Sequence, residues 1–407
     1  MKCRHCRSIL THTFLDLGFA PPSNAYLTQA DLSKPEKYYP LRIKVCNTCW
    51  LVQTEDYAQT VELFNSDYAY FSSTSSGWLA HAEQYAQNMI NDLGLKSNDL
   101  VIEIASNDGY LLKNFLASGI PCLGIEPTDS TASAAEDQGI PVLREFFSES
   151  LGIKLAAEGQ QADLIAGNNV YAHVPDINDF TRGLKAILKP NGVITLEFPH
   201  LMSLIKQAQF DTVYHEHFSY LSLYTSNKIF RASGLRIWHV EKLPTHGGSL
   251  RIYGCHEDNF RQTNESVDII IKEEIESGLQ DLQTYLNFQM RADKIKNDLI
   301  AFLIQLKNSG KKVVGYGAAA KGNTLLNYSG IKPDLLPFVC DAAPSKQNKF
   351  MPGSHIPILH PCNLLSYKPD YVLILPWNLY KEVLQLNTVL VENGVKFLTA
   401  VPELEVK

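Results

Sequence analysis

Three kinds of hydrophobic pattern follow one another along the chain. Near the N-terminus the apolar residues come in short runs, Thr13-Phe14-Leu15-Asp16-Leu17-Gly18 and Tyr38-Tyr39-Pro40-Leu41-Arg42-Ile43-Lys44-Val45, which predict short strands. A serine- and threonine-rich stretch then ends at a helical pattern over 78–93. From Asp99 onward, continuous apolar runs at 100–104, 122–125, 162–166 and 192–198 read as buried parallel strands, and Leu111, Leu112, Phe115 and Leu116 keep helical spacing. Residues 266–308 carry Ile270, Ile271, Ile275, Leu279, Leu282, Leu286 and Met290 at helical spacing among many charges, the mark of one or two amphipathic packing helices. A second strand and helix series follows at 312–317, 336–340 and 371–375. The 407 residues exceed one ordinary core and divide into three α/β units, expected at 1–66, 67–255 and 256–407.

The first unit carries two pairs of cysteines, Cys3-Arg4-His5-Cys6 and Cys46-Asn47-Thr48-Cys49. Each C-x-x-C aims two thiolates at one point, and two such turns complete a four-sulfur zinc site. Four thiolates leave no open position for water, so the zinc is expected to be structural. His5 could compete as a ligand, but four cysteines suffice. Cys122, Cys255, Cys340 and Cys362 stand singly among apolar residues and are expected in the core.

In the second unit the first buried strand, with Glu103, runs into Ala105-Ser106-Asn107-Asp108-Gly109-Tyr110-Leu111, and the second ends in Glu126-Pro127. Strand, turn, helix, strand and then an acid is the order of a doubly wound nucleotide site, where the acid accepts both ribose hydroxyls. The turn lacks G-x-G-x-x-G, which disfavours a dinucleotide; S-adenosylmethionine, an adenosyl ligand without phosphates, fits better. Asn168, Asn169 and His173 fall at and just past the carboxyl end of a later strand, where open α/β sheets bind ligands. The stretch Asp67-Tyr68-Ala69-Tyr70-Phe71-Ser72-Ser73-Thr74-Ser75-Ser76 suits either a lid over a ligand or a capping linker. In the third unit, Val313-Val314-Gly315-Tyr316-Gly317-Ala318-Ala319-Ala320-Lys321-Gly322-Asn323 places small residues between a strand and a helix start, an anion-binding arrangement to which Lys321 could add charge. A polar loop with Lys346 and Asn348 lies at another strand end.

The densest chemistry is Tyr214-His215-Glu216-His217-Phe218-Ser219-Tyr220. Imidazoles, a carboxylate and phenols among apolar residues are groups whose pKa values move with burial. On a strand, Tyr214 and Glu216 would face one side and His217 the other, so they converge only in a turn. His215-Glu216-x-x-Ser219 is not a zinc-protease pattern, which disfavours a catalytic metal there. His246 and Arg251, in a glycine-rich turn and strand, are substrate-facing candidates or plain turn and strand residues.

Taken together, the paired cysteines, 68–76, Glu103-Ile104-Ala105-Ser106-Asn107-Asp108-Gly109, Gly124-Ile125-Glu126-Pro127, Asn168-Asn169-Val170, His173-Val174-Pro175-Asp176 and 214–220 resemble the three-domain, zinc-containing sugar C-methyltransferases, over nearly the whole chain. The resemblance implies a small N-terminal zinc-binding domain, a central doubly wound class I methyltransferase domain and a C-terminal Rossmann-like domain for the sugar nucleotide. It implies S-adenosylmethionine as methyl donor and a nucleotide-linked 4-keto-deoxysugar methylated at C-3″. Ala105 departs from the glycine that several methyltransferases carry there, and its methyl group should tighten the loop slightly. His217 is then the leading base, Glu216 its partner and Tyr214 a donor to the enolate oxygen, with His173 and Tyr68 lining the pocket. Tyr70, Ser75, Glu103, residues 105–111, Glu126, Pro127, Asn168 and Asn169 fall to the donor. His246, Arg251, Tyr316, Lys321, Asn323, Lys346 and Asn348 fall to the acceptor.

The formal charge of −7 gives no support for nucleic acid binding. No signal peptide or membrane-length apolar run occurs, so a cytoplasmic protein, and by default a monomer, is expected. Two other functions fit less well: an O- or N-methyltransferase, which needs no carbon acid, and a non-catalytic zinc-containing binding protein.

Overall fold

The computed structural model describes residues 1–57 and 71–407. Tyr68 and Tyr70 lie outside the described residues. The N-terminal sheet is antiparallel and joins β1 (His12–Ala20), β2 (Tyr39–Val45) and β3 (Val52–Thr54). Its fourth strand comes from far along the sequence. β9 (Ser219–Tyr220), the tail of the acid and base stretch, pairs Val52 with Tyr220 and Gln53 with Ser219.

The central sheet has seven strands: β4 (Val101–Ile104), β5 (Cys122–Ile125), β6 (Val142–Leu143), β7 (Ala162–Asn168), β8 (Leu188–Pro199), β10 (Leu235–Leu243) and β11 (Ser249–His256). Their order is β10-β11-β8-β7-β4-β5-β6. Strands β4 to β8 are parallel, and the β10–β11 hairpin closes the sheet antiparallel on β8. β4 has β5 on one side and β7 on the other, so the ligand crevice opens at its carboxyl end. The helices Glu149–Ala157 and Ile177–Ile187 cross where a Cβ on Gly152 would stand 2.6 Å from the Gly183 carbonyl oxygen. Backbones that close leave room only for hydrogen at this crossing.

The C-terminal sheet repeats the principle. Its strands β12 (Val313–Tyr316), β13 (Val339–Cys340), β14 (Ile358–Leu359), β15 (Tyr371–Ile374), β16 (Lys396–Thr399) and β17 (Glu405–Val406) run in the order β14-β13-β12-β15-β16-β17. All are parallel except β17, and the switch point lies at β12. The predicted spacer is three helices, Glu265–Glu276, Leu282–Leu286 and Phe288–Asn308. Cys122, Cys255 and Cys340 are buried as expected, but Cys362 is exposed. It sits in the turn leading into the short helix Asn363–Tyr367, outside the sheet that covers Cys340. Among the described residues, no helix is long and apolar enough to cross a membrane.

One apolar core runs through the N-terminal sheet, the spacer and one face of the C-terminal sheet. It includes Phe14, Ile43, Val52, Phe210, Val213, Tyr220, Phe288, Leu299, Leu325 and Leu373. The stretch around 210–220 therefore belongs to this shared core, while the central sheet has cores of its own. Phe288 stacks on Phe14 with ring centroids 4.7 Å apart, and Tyr285 meets both Phe14 and Trp50. Phe288→Ala should lower stability by about 3–5 kcal/mol, measured by denaturant titration of the whole chain. A loss under 1 kcal/mol would mean the spacer does not hold the N-terminal sheet.

Candidate active site

The four cysteines of the two pairs come together, with all Sγ atoms within 4.8 Å of one another. Cys3 and Cys49 stand 3.5 Å apart, as do Cys6 and Cys46. A tetrahedral zinc with Zn–S bonds of ~2.3 Å requires S···S separations of roughly 3.8 Å, so the residues fit the ion. Both knuckles close alike: Arg7 and Trp50, each just past a second cysteine, take φ of 63° and 65°. Their N–H groups donate to the carbonyls of Cys3 and Cys46. His5 turns away to Asn178, Nδ1 to Oδ1 at 2.9 Å, and is no rival ligand.

The donor crevice sits at the ends of β4, β5 and β7. Ala105, Asn107 and Gly109 take φ of 58°, 50° and 78°. Ala105 is thus held in the left-handed region that favours glycine, a stronger constraint than a tightened loop. The Asn107 N–H donates to Glu126 Oε2, and Asn107 and Asp108 hold the N–H groups of Ser72 and Ser73. Ser75 caps the helix Ser76–Leu93 by accepting from the Trp78 N–H. Among the described residues, Oδ1 of Asp108 and Oδ1 of Asn168 are buried with no hydrogen-bond partner, and the buried Glu103 carboxyl meets the Tyr110 hydroxyl alone. Unpaired buried acceptors clustered at one crevice fit a cationic ligand rich in donors, as the ammonium and ribose hydroxyls of S-adenosylmethionine are. Burial pushes Glu103 well above the usual carboxylate range, against the neighbouring Tyr110 hydroxyl. Tyr110, Leu111, Pro127 and Asn169 border the same loops.

The stretch 213–218 is a turn, not a strand. The His217 N–H donates to the Tyr214 carbonyl at 3.0 Å, which folds the two side chains together. Their ring centroids are 4.0 Å apart, and the His173 ring, from the turn after β7, lies 4.6 Å from His217. His217 Nδ1 lies 3.0 Å from the Thr212 carbonyl oxygen. A carbonyl only accepts, so Nδ1 carries the proton and Nε2 is the basic atom. Burial, then the neighbouring His173, pushes His217 well below the ordinary imidazole range. Burial brings His173 down to about 4. Glu216 is fully buried, and burial raises it to about 6. His215 points away, toward Tyr39 of the N-terminal sheet.

Three structures pin this turn. From the zinc unit, the Thr54 hydroxyl donates to the His217 carbonyl at 2.5 Å, and the Thr54 N–H to that of Phe218. From the C-terminal sheet, the Thr324 hydroxyl donates to the Val213 carbonyl, and Trp377 Nε1 to Asp211. From the central unit, the Ala172 carbonyl accepts from the Phe218 N–H at 2.8 Å. Nearby, buried Glu197 accepts from the Thr245 hydroxyl at 2.8 Å and pairs with His81 and Arg251. That network seats His246, at φ 54°, where its Nε2 meets the Asn169 amide at 2.9 Å. Burial and nearby Lys321 lower His246 to about 4.

Among the acceptor candidates, His246 and Lys321 therefore face the turn. Lys321 donates to Asn378 at 2.7 Å and lies 4.7 Å over the Trp377 ring. Asn323 is buried close by, donating to the Ser23 carbonyl, and Lys346 reaches the Ala318 carbonyl in the loop after β12. Arg251 is locked behind Glu197 and stacked on Tyr85, so it supports the site from behind. Tyr316 packs into a separate core with Phe338, Val372 and Phe397, and Asn348 is exposed. Sequence reasoning passed over Asn24, Thr54, Glu197, Asp211, Thr212 and Trp377. Only their long-range partners mark them, and spacing carries no trace of those.

Purified protein should contain about one zinc per chain by elemental analysis, falling below half in Cys49→Ser; full zinc in that variant would refute the four-sulfur site. Glu103→Gln should weaken S-adenosylmethionine binding about 10–100-fold by calorimetry, since a charged hydrogen bond contributes about 1.5–3 kcal/mol. The buried histidines also set acid stability. His173 binds no proton until about pH 4, whereas the unfolded chain takes one near ~6.5, so this contribution is complete above ~6.5 and lost as pH falls toward 4. His173→Gln should shift the acid-unfolding midpoint to lower pH, followed by circular dichroism; an unmoved midpoint counts against it.

Three family models match the chain: "Putative zinc binding domain" over residues 3–64, "Methyltransferase domain" over 78–240 and "C-methyltransferase C-terminal domain" over 244–402. C-methyltransferase NovU of Streptomyces niveus is 32% identical over 402 residues, 99% of this chain and 96% of that protein. An uncharacterized methyltransferase of Mycobacterium leprae is 25% identical over 116 residues, 27% of this chain and 43% of that protein. The solved magnesium protoporphyrin IX methyltransferase of Synechocystis PCC 6803 superposes with a TM-score of 0.36 at 14% identity, over 44% of this chain and 84% of that one. With NovU matched end to end and all three family models in sequence, the chain belongs to the S-adenosylmethionine-dependent C-methyltransferases.

Proposed function

We propose that this enzyme methylates C-3″ of a nucleotide-linked 4-keto-deoxysugar through an enolate, in the making of a branched-chain deoxysugar. The reading rests on the turn that gathers His217, Tyr214 and His173 with a basic Nε2, between the donor crevice and the switch point of the C-terminal sheet. A sugar carbon is acidic only beside a ketone, and a methyltransferase for carbon needs a carbanion equivalent. An oxygen or nitrogen acceptor needs no proton removed from carbon, although a base can activate a hydroxyl too.

In this mechanism His217 Nε2 takes the C-3″ proton, and the electron pair moves through C-4″ onto the ketone oxygen. A positioned base contributes about 10²–10⁴-fold. The Tyr214 hydroxyl donates a hydrogen bond to the developing enolate oxygen. Bound S-adenosylmethionine supplies the electrophilic methyl on a cationic sulfur. C-3″ forms the new bond as the sulfur leaves as a neutral thioether. Burial keeps His217 unprotonated and able to act at neutral pH. Glu216, next to the base on the same buried turn, is anionic above about pH 6 and is the group whose protonation sets the acid side of the reaction. Lys321, Asn323 and Lys346 line the way to the C-terminal sheet, the platform for the nucleotide.

His217→Asn should abolish solvent deuterium exchange at C-3″, read by NMR, while S-adenosylmethionine binding stays within about twofold. Exchange that persists would move the base to another group. In the wild type kcat/KM should be level from pH 7 to 8 and fall about tenfold per unit below pH 6, as Glu216 takes up its proton. Glu216→Gln should remove that limb; a limb unchanged in this variant would belong to another residue.

A further inference from the structure

Besides the strand that holds Thr54, one loop of the zinc unit reaches the active site. The segment 22–27 connects β1 to β2 and folds on itself, with the Ala25 N–H donating to the Pro22 carbonyl and that of Tyr26 to Asn24. The C-terminal part of the chain grips it on both sides. Asn323 donates to the Ser23 carbonyl at 2.5 Å, and the Tyr26 hydroxyl donates to the Ala318 carbonyl at 2.6 Å. Leu27 exchanges two backbone hydrogen bonds with Phe350. Between these fixed points Asn24 donates its amide Nδ2–H to Glu216 Oε1 at 3.3 Å. Oε2 has no hydrogen-bond partner among the described residues.

We propose that Asn24 is a positioning residue for Glu216: it fixes one carboxylate oxygen and leaves the other without a partner among the described residues. A fully buried carboxylate with one amide donor has a strong electrostatic dependence on that donor. The other groups facing Glu216 are Tyr26 on the same loop, Tyr220 on β9, and His173, which meets the Glu216 carbonyl. Lys346 and Asp341 stand behind Tyr26. No cation is paired with the Glu216 carboxylate among the described residues; its own backbone N–H and the backbone N–H and side-chain amide of Asn24 are what favour its charged form, so the loop supplies two of the three contacts. Asn24 thereby makes the zinc unit part of the proton-handling machinery.

The proposal deepens the enolate reading and rests on it only for what Glu216 acts upon. It is tested without any acceptor. In protein labelled with ¹³C at the glutamate carboxyl, the Glu216 resonance is identified by its loss in Glu216→Gln and titrated. Asn24→Ala should move its midpoint upward by about one pH unit, with zinc content and S-adenosylmethionine affinity unchanged. Asn24→Asp, close in shape, places a second carboxylate there and should move it further upward. Asn24→Gln, which keeps an amide donor, should restore part of the wild-type value. The acid limb of kcat/KM should move with the midpoint, lowering activity at pH 6 several-fold. A Glu216 midpoint that stays put in both Asn24→Ala and Asn24→Asp overturns the proposal. Shifted midpoints in a protein that exchanges no proton on any ketosugar would leave the proposal standing and sink the acceptor reading instead.

Discussion

The structure depends on the pairing of β3 with β9. Two residue pairs, Val52 with Tyr220 and Gln53 with Ser219, join the zinc unit to the end of the catalytic turn. Thr54 extends that pairing to the carbonyls of His217 and Phe218. The register is held from the metal side as well. Gln53 accepts from the Arg4 N–H and donates to Cys3 Sγ, so the strand that holds the turn is itself held by a zinc ligand. A structural metal site thus helps to fix the backbone that carries His217, the proposed base.

Around that turn the two α/β sheets are arranged alike. Each has a switch point in its strand order, at β4 in the central sheet and at β12 in the C-terminal one, the places proposed above for the donor and the nucleotide end of the acceptor. The contacts across the gap are close. A Cβ on Gly247, at φ 88°, would stand 2.4 Å from the ring of Trp377. Only glycine permits that approach and that backbone at once. Four titratable groups at and around the turn are moved toward their neutral forms for one dominant reason, exclusion from water. His173 and His246 fall to about 4, and Glu216 and Asp211 rise to about 6. Dry surroundings keep imidazoles unprotonated and bring carboxylates close to their ionising range, the states a proton acceptor needs at neutral pH.

Much of this was legible in the chain, and the reason is locality. The C-x-x-C turns, the buried runs of β4, β5 and β7, and the loop 105–111 are defined by neighbours within a few residues. Short-range chemistry writes itself as spacing. The choice between strand and turn at 213–218 was open in the sequence, because the anchors that hold that backbone in a turn, Thr54 and Thr324, are distant in the chain. Arg251 looked like a substrate contact because an arginine beside glycines is polar and mobile in isolation. Burial against Glu197 and Tyr85 takes that freedom away. Tyr316 was misread for a related reason: adjacent strand residues face opposite sides, and its side chain falls on the core side. Asn24 was passed over because Pro21-Pro22-Ser23-Asn24 reads as ordinary turn chemistry, and only the fold brings residue 216 to it.

The β3–β9 pairing also orders events in time. Synthesis proceeds from the N-terminus, so both cysteine pairs leave the ribosome long before Ser219 and Tyr220 exist. Until then the zinc unit has three strands, and Val52–Thr54 is an open edge with unpaired N–H and carbonyl groups. The segment that closes the edge is the one that carries the base. Sealing the N-terminal sheet and assembling the catalytic centre are therefore a single folding step, and the nascent chain has no catalytic turn to misuse before its metal unit is complete.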